Sequence, residues 1–166
     1  MNEKINNSKN RSNGTLTEQE LKNSLVYFNN LCPYSNTPLS ENDWHLEHII
    51  PVIMGGTTDS WNCIAVCGPC NLSKGGKHLL DWWDLNNSKE EEFKLEKIFN
   101  YIIEQLNKPR NFQITTKDKE YIDSLVKKEQ EVDNLQKKRP SQTSFRVAAV
   151  SMIVLRYEKQ RVRLSL

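Results

Sequence analysis

Between Trp44 and Lys74 the chain has room for little besides a short hairpin closed by a helix. Trp44 to Ile50 alternates as a strand, with Leu46 facing one side and His45 and Glu47 the other. Pro51 has no N–H to give a ladder, so the strand ends there or runs at an edge. Gly55-Gly56 marks a loop, and Asn62 to Val66 reads as the returning strand. A Cys67-x-x-Cys70 knuckle follows, and Asn71 starts a short helix with Gly75-Gly76 near its end.

The same window carries a concentrated set of reactive side chains. Glu47 and His48 stand side by side, and Asn62, Cys67, Cys70, Asn71 and Lys74 follow in order. Hydrolysing a phosphodiester on one metal ion requires a base, hard ligands for the metal and a cation for the phosphate. All three can be assembled here. The order Glu47-His48-Ile49-Ile50-Pro51, Gly55-Gly56, Asn62, Cys67-x-x-Cys70-Asn71-x-x-Lys74 resembles the HNH nucleases over roughly residues 31–83. Cys32 to Asn36 is similar, more weakly, to the lead-in of HNH domains of RNA-guided CRISPR nucleases. The chain departs from the family pattern twice. Glu47 stands where the family usually has Asp, and Cys32-Pro33-Tyr34-Ser35 lacks the second thiol of a first Cys-x-x-Cys pair.

The resemblance implies an α+β fold: a small ββα-metal core with a zinc-knuckle-like loop, flanked by several helices. It implies a divalent-metal-dependent endonuclease, with DNA ahead of RNA as substrate. The resemblance further implies in-line attack by water, leaving 5′-phosphate and 3′-hydroxyl ends. His48 is the candidate general base, since neutral imidazole can take a proton from water near pH 7; the competing role is a structural histidine. Glu47 and Asn71 are the candidate ligands, with oxygen donors suited to Mg²⁺ or Mn²⁺. Asn71 could instead cap the helix it opens. Asn62 reads as a support, its amide bonding backbone on both donor and acceptor sides. Lys74 would contact phosphate. For Lys77 a solvated face is the better reading, as a plain surface position is for His45.

Cys32, Cys67 and Cys70 supply three thiolates of a tetrahedral zinc site, against the alternative of thiols packing a small core. Cys63 reads as core. Trp44, Trp61, Trp82 and Trp83 cluster around the motif, with packing as their default role and base stacking as the alternative. A zinc-knuckle module that binds nucleic acid without cutting it, and a defence or toxin nuclease gated by a partner, stay open as alternatives.

Composition sets the remaining bounds. With 37% hydrophobic residues in 166 the core must be small, a limit that small folds often meet by using a metal as a staple. A net charge of +2 means that phosphate contacts must come from local patches. Residues 79–105 carry seven acids against three lysines, and residues 141–166 carry five bases against Glu158 alone. The basic C-terminal segment is the candidate surface for phosphates or a protein partner. No apolar run reaches the length of a membrane span, and Met1 to Gly14 is unlike a signal peptide. Unpaired cysteines in this pattern suit a reducing cytoplasm.

The chain divides into a disordered N-terminus (1–15), a nuclease core (16–86), accessory helices (87–140) and the basic segment (141–166). Thr17 to Glu20 forms a capping box that starts a helix through about Asn29, with Leu21, Leu25 and Phe28 on one face. Ser88 to Glu91 is a second capping box, opening a helix through about Leu106 with Phe93, Ile98, Tyr101, Ile102 and Leu106 inward. A third helix is expected over about 115–138.

Overall fold

The computed structural model describes residues 1–40, 43–86 and 91–108, together with Glu120, Asp123, Ser124 and Lys127. The helix expected over 115–138 and the basic segment 141–166 fall almost wholly outside these residues. Helices α1 (Asn2–Lys9) and α2 (Glu18–Tyr27) precede strand β1 (His45–His48). A 3₁₀ turn (Val52–Met54), strand β2 (Cys63–Val66) and helices α3 (Gly68–Lys74), α4 (Leu79–Asn86) and α5 (Glu92–Asn107) complete the order. The fold is α+β, with one small antiparallel sheet among the described residues.

Local chemistry explains the ends of α2 and the start of α3. Thr17 accepts a hydrogen bond from the Glu20 amide while the Glu20 carboxylate reaches back to the Thr17 amide, closing the capping box of α2. The helix ends at Asn29 and Asn30, both at positive φ, a region asparagine tolerates better than most residues. Helix α3 begins at Gly68, three residues ahead of the expected start. Cys67 is its N-cap, and Pro69 fits the first turn because no intrahelical partner is needed there. Cys70 therefore lies inside the helix rather than ahead of it.

Pairing in the sheet sets Glu47 opposite Ile64 and His48 opposite Cys63. Each face of the sheet feeds a separate core. Ile64 and Val66 join a large cluster with Tyr34, Trp61, Trp82, Trp83 and the inner face of α5. Cys63, Ala65 and Leu46 pack with Trp44, Leu21, Leu16 and Ile5. All four tryptophans are buried, which removes them as exposed stacking platforms. Along α5, Leu95, Ile98, Phe99, Ile102 and Leu106 follow helical spacing into the large cluster. Phe93 was expected inward with them but is 57% exposed. It stands two residues before Leu95, about 200° round the helix, on the opposite side.

Residues 1–15 depart furthest from expectation. Their polar composition reads as disorder, yet α1 is formed and its Ile5 and Ser8 are buried. Tertiary contacts supply what composition lacks. Lys4 donates to the Trp44 carbonyl and lies 4.1 Å from the centre of the Trp44 ring. Thr58 exchanges backbone hydrogen bonds with Asn13 and Leu16, and Thr15 donates twice to Asp59. A Cβ on Gly14 would stand 2.1 Å from the Thr58 carbonyl oxygen, so only glycine allows this approach.

Candidate functional site

Asn62 holds the loop between the strands in shape. It is fully buried, and its Oδ1 accepts from the Ile50 amide at 2.7 Å. Its Nδ2 donates to the carbonyls of Ile50 (3.1 Å) and Thr57 (2.9 Å). The loop passes so close that a Cβ on Gly56 would meet the Ile50 carbonyl oxygen at 1.9 Å, while Gly55 takes φ 93° at the end of the 3₁₀ turn. Asn62→Ala should strand buried backbone groups and cost about 2–3 kcal/mol, measured by urea unfolding. A loss below about 0.5 kcal/mol would mean that the loop holds itself.

On the α3 side of the sheet, Glu47 and Lys74 form a buried ion pair at 2.5 Å. Lys74 is 0% exposed and also donates to the His48 carbonyl at 3.0 Å. Burial pushes the Glu47 carboxyl up and the Lys74 amine down, and each charge pulls the other back toward ionisation. The expected phosphate contact of Lys74 is not what this geometry provides, since its ammonium is committed inside the protein. Asn71 is half-buried in the second turn of α3, three residues before Lys74 and so on a neighbouring part of the same helix face. Because Cys67 is the N-cap, the competing capping role for Asn71 falls away.

His48 faces the other way. Its Nε2 lies 3.1 Å from the hydroxyls of both Ser8 and Thr58. Those hydroxyls are 3.1 Å apart, and Thr58 bonds Ser12 at 2.6 Å. Strand alternation therefore holds through His48, and the two neighbours of the acid–His pair project to opposite faces of β1. Burial first, then the Arg11 and Lys74 charges, lower the imidazole pKa from the ordinary 6.5 to about 4, leaving it neutral near pH 7. A histidine with a folded pKa below its unfolded value binds its proton more readily when unfolded. Its contribution is intact above about pH 6.5 and lost as pH falls toward 4. The loss should total on the order of 3 kcal/mol. Urea unfolding at pH 7 and 4.5 should show most of this slope in the wild type and a reduced one in His48→Gln.

The thiols of Cys32, Cys67 and Cys70 all lie within 4.8 Å of one another, and the Ser35 hydroxyl is 3.6 Å from Cys67 Sγ. Thiolates on one tetrahedral zinc ion stand about 3.8 Å apart, so modest closure is all a metal requires. A hydrogen bond from Cys70 draws the Cys32 thiol down to about 4, and the same bond raises Cys70. The trio can thus present a thiolate readily. Cys63 is fully buried on the other face, where burial raises its thiol well above the ordinary value. It is a core residue.

His45, Lys77 and His78 belong to none of these arrangements. His45 is exposed and lies alongside Gly68 at the start of α3. His78 is within 3.3 Å of the Ser124 hydroxyl. Lys77 is exposed and donates to the Ser73 carbonyl. Ser8 and Thr58 are the residues that sequence reasoning missed. In sequence Thr57 to Ser60 reads as a polar loop and gives no signal, yet all four are buried and the partners of Thr58 and Asp59 come from a distant segment.

Residues 32–81 match the sequence model of the HNH endonuclease family. A protein of Bacillus subtilis (strain 168), named as the SPbeta prophage-derived putative HNH endonuclease YoqL, is 29% identical over 98 residues. That alignment covers 52% of this chain and 41% of the relative, so the chain spans less than half the length of the curated relative it matches.

Proposed function

From the match of residues 32–81 to the HNH endonuclease family model, we propose that this chain is a divalent-metal-dependent nuclease that hydrolyses phosphodiester bonds in DNA. The observation that carries the reading is the arrangement around Asn62, whose amide fixes the loop that follows Glu47 and His48 against the strand leading to Asn71.

The donor set suits Mg²⁺ or Mn²⁺, since Glu47 and Asn71 offer hard oxygens. Glu47 already faces a cation, the Lys74 ammonium. The Lys74 ammonium already neutralises that carboxylate, so a metal ion has to displace it from Glu47 to bind. Such an ion would stabilise the charge that develops on the departing 3′ oxygen. His48 is the proposed base for the attacking water; its imidazole faces the side of β1 opposite Glu47, so the strand end has to turn for both to reach one phosphate. Its neutral imidazole is in the protonation state that this role requires. Asn62 positions the loop, and Lys74 holds the carboxylate and the His48 carbonyl in register.

Zinc is the proposed structural metal, held by Cys32, Cys67 and Cys70 with Ser35 or water completing the shell. Elemental analysis after dialysis should return between zero and one equivalent, and two would contradict the assignment. No helix among the described residues is long and apolar enough to cross a membrane. A cytoplasmic location, and a protein partner on the basic C-terminal segment, belong to the same proposal.

One feature favours a second reading, a nucleic-acid-binding module without activity. Lys74 occupies Glu47, and His48 is 8% exposed. Incubating the purified protein and plasmid DNA with Mg²⁺ or Mn²⁺, with and without EDTA, separates the two. Metal-dependent nicking or cutting supports the nuclease, whereas binding without cutting under every condition supports the module.

A further inference from the structure

The N-terminal segment covers the residue assigned as base. The Ser8 hydroxyl meets His48 Nε2, and Ser8 is itself 1% exposed. The segment is held unevenly. Asn13 to Leu16 is anchored by backbone bonds to Thr58 and by the Thr15–Asp59 contacts. Helix α1 is far less secure. It has eight residues, no side-chain N-cap bond, and only Ile5 and Ser8 buried. An isolated helix shorter than about 12–15 residues is marginal in water, so α1 persists only while docked. Its docking rests on Ile5 in the smaller core, Ser8 on His48, and Lys4 on Trp44. A base that activates water must meet water, and under α1 His48 is only 8% exposed.

We propose that α1 is a strap, hinged at Arg11–Ser12 ahead of the anchored Asn13–Leu16, that covers His48 and must lift before the imidazole can act. The inference rests on the assignment of His48 as base. The fraction of molecules with α1 lifted scales the observed activity, and weakening the docking raises that fraction. The strap differs from a general stabilising element in one respect: its loss speeds the reaction.

Two full-length variants test this, Ile5→Glu and Lys4→Ala. Both residues lie in α1 and outside the groups assigned to metal or base. Two rates are read. One is carbethoxylation of His48 by diethyl pyrocarbonate, located by peptide mass spectrometry, with exposed His45 as internal reference. The other is cleavage of a DNA duplex with Mn²⁺. Ile5→Glu should raise both about tenfold, as expected for losing one buried aliphatic side chain from the docked state. Lys4→Ala should raise both by a smaller factor, and it decides the matter if Ile5→Glu fails to fold. Unchanged His48 modification in a folded variant overturns the strap, because α1 would then not be its cover. Faster modification with unchanged or slower cleavage also overturns it, because α1 would then support the reaction. If no form of the chain cleaves DNA, the nuclease reading fails, and faster modification still establishes α1 as the cover of His48.

Discussion

Lys74→Met should destabilise the fold by about 3–5 kcal/mol, because it leaves the Glu47 carboxylate buried without its partner. Both side chains are almost wholly out of water, so solvent cannot replace the lost ammonium. The backbone carbonyl of His48 loses its donor in the same step. Two further results follow from the pair. Adding Mn²⁺ or Mg²⁺ should recover part of the stability of Lys74→Met, since a divalent ion on Glu47 replaces the missing charge. The double variant Glu47→Leu/Lys74→Met should be more stable than Lys74→Met alone, because it removes the stranded charge. Urea unfolding of the three variants, with and without metal, measures all of this. A Lys74→Met protein within about 1 kcal/mol of the wild type would show that the carboxylate finds water or another donor.

These results concern a lysine whose part could not be read from the sequence. Its position, one turn after Asn71, suggests an exposed cation available to phosphate. Only the packing of α3 on β1 reveals that the side chain turns inward. Elements whose signal is local were legible. The Thr17–Glu20 box declares itself by a spacing of three residues, and the hairpin by Pro51, Gly55-Gly56 and the returning apolar run. The Asn62 support was legible through the family resemblance, against the alternative of a plain turn residue after Asp59-Ser60. The three-thiol cluster followed from Cys67-x-x-Cys70 with one earlier cysteine. Where long-range contacts override local preference, sequence reading failed. The composition of residues 1–15 lacks apolar drive, and α1 is ordered by Trp44, His48 and Thr58, some 40 to 50 residues away. The two faces of β1 were also legible in principle, since Glu47 and His48 are adjacent. What each face would meet, α3 on one side and α1 on the other, was not.

The largest expected effect belongs to His48. Removing a positioned general base typically costs 10²- to 10⁴-fold in rate. His48→Ala should therefore reduce metal-dependent plasmid cleavage by that order while leaving DNA binding nearly intact. The imidazole acts on water, and no metal contact is assigned to it. Asn71→Ala should behave differently, needing more metal to reach a given rate, because it removes an assigned ligand. The direct measurement is single-turnover cleavage of plasmid DNA by wild type and His48→Ala, across a Mn²⁺ titration, with EDTA as the zero point. The account predicts that wild type cuts, that EDTA stops it, and that His48→Ala stays slower by at least a hundredfold at every metal concentration. His48→Ala cutting at the wild-type rate would contradict it.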